Sequence, residues 1–199
     1  MRVLIVYTGV GNLYSLKSAI EKLGGKAVIG LNAKLLDYVD AIILPGVGSY
    51  DGALKRIKDV KEELIERIRL GVPTLGICLG YQLLFEKSEE GRGKGLGIFK
   101  GEVVRLPNTV KIPHIGWNTL ENIKHSPLTE GVREGSYVYF VHSYYPKPKE
   151  PIVLAETLYG IIFPSVSGKG NVFGVQFHPE RSGSVGLRFL LNFLRVVKR

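Results

Sequence analysis

An α/β fold is expected, with an open, mostly parallel sheet flanked by helices and additional antiparallel strands in the C-terminal half. Three observations predict it. Residues 3–7 (Val-Leu-Ile-Val-Tyr) form a continuous apolar run rich in β-branched side chains, as in a strand buried on both faces of a parallel sheet. Runs of this kind alternate with segments of helical period up to residue 85, the pattern of right-handed βαβ units. Beyond about residue 100 the texture changes to short strands separated by turn residues, as in antiparallel hairpins.

The elements follow in order. After the strand at 3–7, Leu13, Leu16, Ala19, Ile20 and Leu23 recur at helical spacing. Asn12 is placed to cap that helix and Gly24-Gly25 to stop it. Short strands are expected at 26–29 and 41–44, the latter ended by Pro45-Gly46. A helix over 60–70 buries Leu64, Ile65 and Ile68, a strand follows at 74–77, and residues 80–85 open another helix. Further strands are expected at 102–106, 116–120, 137–141, 153–157, 161–166 and 171–177, with a hairpin turn at 167–171. Residues 184–197 form a closing amphipathic helix with Leu187, Leu190, Leu191, Leu194 and Val197 along one face. Residues 146–151 (Pro-Lys-Pro-Lys-Glu-Pro) read as a stiff loop without assigned function. With no internal repeat or linker, one domain spanning 1–199 is expected.

Composition narrows the functional classes. Apolar residues make up 45% and charged residues 23% of 199, so a disordered or fibrous chain is excluded. The net charge of +9 is modest, and its basic residues are interleaved with acids, so a nucleic-acid footprint is not expected. No run approaches 18 apolar residues, so no membrane span is expected. The one cysteine, Cys78, cannot form an intrachain disulfide, which suits a reducing cytoplasmic location. Gly9-Val10-Gly11-Asn12-Leu13-Tyr14 starts like a dinucleotide fingerprint, but its sixth position is Tyr where close helix–sheet packing needs Gly or Ala. No phosphate-loop motif and no metal-ligand spacing occurs, so neither cofactor nor metal is expected.

The chemistry gathers at Gly76-Ile77-Cys78-Leu79-Gly80, a Gly-x-Cys-x-Gly between an expected strand and an expected helix. This is the cysteine form of a nucleophile elbow. Glycines two residues either side relieve crowding in a sharp turn, the helix N-terminus favours thiolate, and the Leu79 N–H can face an oxyanion. A lone cysteine is more often a small buried hydrophobe; the flanking glycines and the strand–helix context favour the elbow. The nucleophile needs a base. His178, in Phe177-His178-Pro179-Glu180, follows a strand, and in an extended segment Glu180 shares its face and can orient the imidazole. His125 lies in a polar stretch, and His114 and His142 lack a neighbouring carboxylate. Pro45-Gly46-Val47-Gly48 follows the third strand, and its freely turning Val47 peptide can offer a second oxyanion N–H.

At Pro45-Gly46-Val47-Gly48, Gly76-Ile77-Cys78-Leu79-Gly80-Tyr81-Gln82 and Gly174-Val175-Gln176-Phe177-His178-Pro179-Glu180, the chain resembles the class I (triad) glutamine amidotransferases over nearly its whole length. Their sheet is flavodoxin-like. Three further stretches, Pro45–Asp51, Pro113-His114-Ile115-Gly116-Trp117-Asn118 and Phe140-Val141-His142-Ser143-Tyr144, resemble the subfamily of glutaminase subunits that serve imidazole glycerol phosphate synthases in histidine biosynthesis.

The resemblance implies Cys78 as nucleophile, His178 as base and acid, Glu180 as orienter, and Leu79 and Val47 as oxyanion donors. It implies that Gly46, Gly48, Gln82, Glu90, Ser143 and Tyr144 surround substrate glutamine, and that Trp117, Asn118, Tyr139 and Arg181 face a partner. That partner would be a (β/α)₈-barrel cyclase subunit, in a heterodimer, receiving ammonia. The family often carries Lys where Arg181 stands. Two other readings stay open: the glutaminase of another amidotransferase, such as that of pyridoxal phosphate synthesis, and a non-catalytic interaction domain with a redox-sensitive thiol.

Overall fold

Seven strands of the computed structural model, which describes residues 1–8 and 13–198, form one sheet among the described residues. The capping role expected of Asn12, and the glycine pair at 9 and 11, lie outside those residues. The first half alternates strand and helix: β1 (Arg2–Val6), α1 (Leu13–Lys22), β2 (Lys26–Gly30), a short α2 (Ala33–Leu36) that was not expected, and β3 (Ala41–Leu44). Then come α3 (Tyr50–Ile57), α4 (Lys61–Arg69), β4 (Thr74–Ile77) and α5 (Leu79–Leu83). The second half holds β5 (Lys87–Ser88), β6 (Gly101–Arg105), β7 (His114–Thr119), β8 (Tyr137–His142) and β9 (Tyr144–Pro148). It closes with β10 (Val153–Leu158), β11 (Ile162–Lys169), β12 (Val172–Val175) and α6 (Gly183–Val197).

The large sheet runs β10-β11-β12-β4-β3-β1-β2. From β12 to β2 all neighbours are parallel; β11 and β10 extend the sheet antiparallel. Side-chain alternation divides the core between the two faces. Val3, Ile5 and Ile43 meet α1 and α6 through Ile20, Phe189 and Phe193. Leu4, Val6, Ile42 and Leu44 meet α4 and the region after α5 through Leu64, Phe85 and Phe99. This two-sided burial is why β1 and β3 read as unbroken apolar runs.

Besides the short α2, four features differ from expectation. Helix α3 was not anticipated, because only Tyr50, Ala53 and Ile57 of its eight residues are buried. Its start was nevertheless encoded: the Ser49 hydroxyl accepts the Gly52 N–H at 3.2 Å, a regular N-cap. The stretch at 146–151 is not simply a loop, since its first residues belong to β9, an edge strand antiparallel to β6. The Leu106–Ser143 and Lys149–Lys100 bonds place Pro146 and Pro148 at positions whose nitrogens face away from β6, where proline costs no ladder bond. In α6 the buried face is Phe189, Leu190, Phe193 and Leu194, while Leu187 is exposed; the larger phenylalanines, with Phe189 stacked edge-on against Phe177 at 5.0 Å, set its rotation. The two-residue strand β5 is too short to leave a periodic signal.

The topology sets up a site. Strands β3, β4 and β12 are parallel neighbours, with Leu44 beside Gly76 and Val175 beside Ile77. Their C-terminal ends therefore deliver Pro45–Gly48, Cys78 and Gln176–His178 to one edge, where open α/β sheets bind ligands.

Candidate active site

Cys78 stands between β4 and α5 with φ 52° and ψ −108°, in a region L-residues rarely adopt. The flanking glycines have steric reasons. A Cβ on Gly80 would lie 1.7 Å from the Leu44 carbonyl oxygen, and one on Gly76 2.7 Å from Tyr81 Cα. The turn therefore closes only with hydrogen at both positions. The thiol is 5% exposed, its N–H donates to Val175 O at 2.8 Å, and Sγ lies 3.6 Å from Val141 O.

His178 is buried, and its Nδ1 lies 2.9 Å from Glu180 Oε1. The pair is made differently from the extended-segment expectation. His178 is extended (φ −97°, ψ 99°), but Pro179–Arg181 form a 3₁₀ turn, and the turn brings the carboxylate round to the ring. Ser182 Oγ donates to His178 O at 2.6 Å and accepts the Tyr139 N–H at 2.9 Å, while the His178 N–H donates to Tyr139 O. His178 is thus tied to β8. Its Nε2 is buried and has no hydrogen-bond partner among the described residues. Burial pulls the imidazolium down, but attraction to Cys78 and then Glu180 outweighs it, raising His178 to about 10.

A cleft of about 230 Å³ opens beside the sulfur. Its lining includes Val47, Gly48, Cys78, Leu79, Gln82, Glu90, Ser143 and Tyr144. Gly46 lies just behind, where a Cβ would press the Leu79 side chain at 3.1 Å. Gly48 has φ 107°, so the turn after Val47 requires glycine. The Leu79 N–H donates to Gly46 O at 3.3 Å. A peptide's C=O and N–H point in opposite directions, so the Val47 N–H is directed away from that donor. The carboxyl of Glu90 is pushed up by burial, against the hydrogen bond it accepts from the Tyr50 N–H. The Tyr144 carbonyl already accepts from Gln82 Nε2 and His142 Nδ1, both at 2.9 Å.

Three residues at the sulfur or in its cleft are not among the expected site residues. Gln176 Nε2 lies 3.7 Å from Cys78 Sγ, and the period-two alternation that singled out His178 also applied to Gln176. Val141 and His142 line the cleft from β8; a site residue that works through its backbone carbonyl, or through a buried ring with no carboxylate nearby, leaves no spacing to find.

At the far end of β7 and β8, the Arg181 guanidinium lies 4.3 Å from the Tyr139 ring centre, and Trp117 meets Tyr139 edge-on at 5.9 Å. Trp117 is 55% exposed. Asn118, the next residue on β7, turns to the other face and donates to Leu158 O at 3.0 Å. Among the described residues no cluster of His, Cys, Asp or Glu could hold a metal ion, and no helix is long and apolar enough to cross a membrane.

The family model described as glutamine amidotransferase class-I matches residues 4–196. The chain is 47% identical over 194 residues to "Imidazole glycerol phosphate synthase subunit HisH" of Methanocaldococcus jannaschii, covering 97% of this chain and 98% of that one. It is 46% identical over 204 residues to the like-named protein of Aquifex aeolicus, covering 100% and 99%. In fold it is similar to a solved "glutamine amidotransferase", with TM-score 0.78 and 22% identity over 99% of both chains. It is likewise similar to PurLQS of Thermotoga maritima, with TM-score 0.76 and 24% identity over 98% of this chain and 97% of that one.

Proposed function

The chain belongs to the class I glutamine amidotransferases, and on that premise we propose that its cleft hydrolyses L-glutamine through Cys78, His178 and Glu180. It is the glutaminase subunit of an imidazole glycerol phosphate synthase, in histidine biosynthesis. The carrying observation is the convergence of a strained cysteine elbow and a carboxylate-steadied imidazole at the ends of adjacent strands.

The Cys78 thiolate attacks the side-chain amide carbon of glutamine. The developing oxyanion is met by the Leu79 N–H and, after its peptide turns over, by the Val47 N–H, each donor worth about 3–4 kcal/mol in comparable sites. His178 gives its proton to the departing nitrogen, the C–N bond breaks, and ammonia leaves a γ-glutamyl thioester on Sγ. Water that loses a proton to His178 then attacks the thioester, releasing glutamate and restoring the thiolate–imidazolium pair. Glutamine lies along the cleft between the 46–48 segment and Gln82, Glu90, Ser143 and Tyr144. Because the Tyr144 carbonyl is already doubly occupied, its contribution to substrate comes from elsewhere in that residue.

Ammonia at neutral pH is mostly ammonium, a poor nucleophile, so it passes directly to a partner subunit. We take that partner to be a (β/α)₈-barrel cyclase forming a heterodimer over the exposed face of β7 and β8, around Trp117, Tyr139 and Arg181. Residues 1–199 act as one cytoplasmic glutaminase domain. Arg181 keeps the charge of the usual Lys but also stacks on Tyr139, which Lys does less well. The test is a glutaminase assay with and without the cyclase. Stimulated turnover that Cys78→Ala removes, while ammonia-dependent synthesis persists, supports the reading; glutamine turnover surviving Cys78→Ala sinks it.

A further inference from the structure

We propose that Gln176 is a positioning residue for the nucleophile: its side-chain N–H is aimed at Cys78 Sγ and stabilises the thiolate, in an orientation imposed by hydrogen bonds anchored on the Tyr144 carbonyl. The inference rests on the reading of Cys78 as nucleophile.

Gln176 is fully buried, one residue beyond β12. An amide can point either end at a neighbour, so its orientation must come from its partners. Here it does. The Tyr144 carbonyl oxygen can only accept. It lies 2.9 Å from Gln82 Nε2, which must therefore be the nitrogen end. The same nitrogen is 3.2 Å from the Gln176 side-chain oxygen, which accepts its second hydrogen. The other end of Gln176 is then the NH₂ group, 3.7 Å from Sγ. A rotation of Gln176 would set NH₂ against NH₂ and leave a buried carbonyl facing a thiolate, and both changes are unfavourable.

The anchor is itself held. His142 Nδ1 lies 2.9 Å from the same Tyr144 oxygen, so it carries the proton and Nε2 accepts. His114 Nδ1 donates to that Nε2 at 3.1 Å, and Asn118 Nδ2 approaches His114 Nε2 at 3.4 Å. Asn118 is oriented in turn by Leu158 O and by the Thr119 N–H on its Oδ1. The donors from Asn118 through His142 therefore converge on the Tyr144 oxygen, and from Gln82, which also donates to it, the donors run on through Gln176 to Cys78. The sequence needs both rings neutral, and burial holds them so: His114 is lowered to about 4 and His142 to about 3. The titratable groups around the sulfur are His178 with Glu180, His142 from β8, and Glu90 in the lining of the same cleft. The first is a cation that favours thiolate; Gln176 adds a neutral donor.

The test follows iodoacetamide alkylation of Cys78 in the full chain against pH. Gln176→Leu should move the profile up by about half a pH unit or more and slow alkylation at pH 7 about threefold or more. Gln176→Glu, which sets a carboxylate against the sulfur, should move it further. Wild-type profiles in both variants overturn the proposal. Should either fail to fold, the unaltered protein decides. The Gln176 side-chain ¹⁵N–¹H signals should shift with the thiol's own midpoint and again on alkylation, and signals indifferent to both overturn it. Alkylation does not require glutamine turnover, so failure of the glutaminase reading shows separately, as an unaltered chain that does not hydrolyse glutamine with its partner present.

Discussion

The N–H of Leu79 donates to the carbonyl oxygen of Gly46 at 3.3 Å. One expected oxyanion donor is thus satisfied from within the chain, and the other, on Val47, belongs to the very peptide whose carbonyl satisfies it. Opening the hole requires one event, rotation of the Gly46–Val47 peptide, permitted by the glycines on either side.

A first prediction follows. Val47→Pro removes the second N–H while leaving the fold of β3 untouched. Partner-stimulated glutaminase activity should fall about 10²–10³-fold, the usual cost of one oxyanion donor, with basal activity changing far less. Steady-state assays with and without the cyclase check it; stimulation of wild-type size in the variant contradicts the rotating-peptide account.

Cys78 and His178 form a second pair with a measurable signature. The native imidazole keeps its proton up to about pH 10, whereas a free histidine releases it near 6.5. This contribution to stability is present below pH 6.5 and is lost as pH climbs towards 10. Since Cys78 is the main source of the rise, Cys78→Ala should move the His178 ring titration down markedly and flatten that limb of the stability curve. NMR titration of the ring in both proteins reads the change directly.

His114 and His142 carry the opposite sign. Their native values are depressed, so below pH 6.5 the unfolded chain takes up protons the native chain refuses. Stability should fall as pH drops from 6.5 towards 4, by about 1.4 kcal/mol per pH unit for each ring. Urea denaturation at pH 7 and pH 5 measures it. His142→Gln, which cannot titrate, should show about half the wild-type slope on this limb.

Trp117 is half exposed beside the Tyr139–Arg181 stack. Trp117→Ala should weaken heterodimer formation about thirtyfold, about 2 kcal/mol, as expected of an aromatic anchor. Calorimetric titration against the cyclase tests this, and unchanged affinity would move the docking face elsewhere.

The elbow itself yields a stability prediction. Gly80→Ala would place a methyl 1.7 Å from the Leu44 carbonyl oxygen, and backbone on backbone cannot yield. A loss of about 3 kcal/mol or more is expected, read as a lowered denaturation midpoint.

Much of this was legible in the residues. The parallel strands could be read because burial on both faces leaves uninterrupted runs such as Val3–Val6 and Ala41–Leu44. Cys78 and His178 could be singled out as candidates because a sharp turn demands glycine at fixed offsets and an orienting carboxylate must lie near its imidazole. Helix α3 and strand β9 were hidden for the converse reason. One buries a single narrow stripe, and the other places prolines where a free edge tolerates them.

From its order of residues alone, this polymer marked Cys78, His178 and Glu180 as candidates and the kind of turn that presents the cysteine, since both are local requirements on backbone and spacing. Folding alone decided that Gln176 would touch the sulfur, that His114 and His142 would be neutral links in a buried chain, and that the Gly46 carbonyl would close the Leu79 donor. Those facts depend on which strand ends become neighbours and which hydrogen-bonding groups lose water, and no spacing along a chain encodes either.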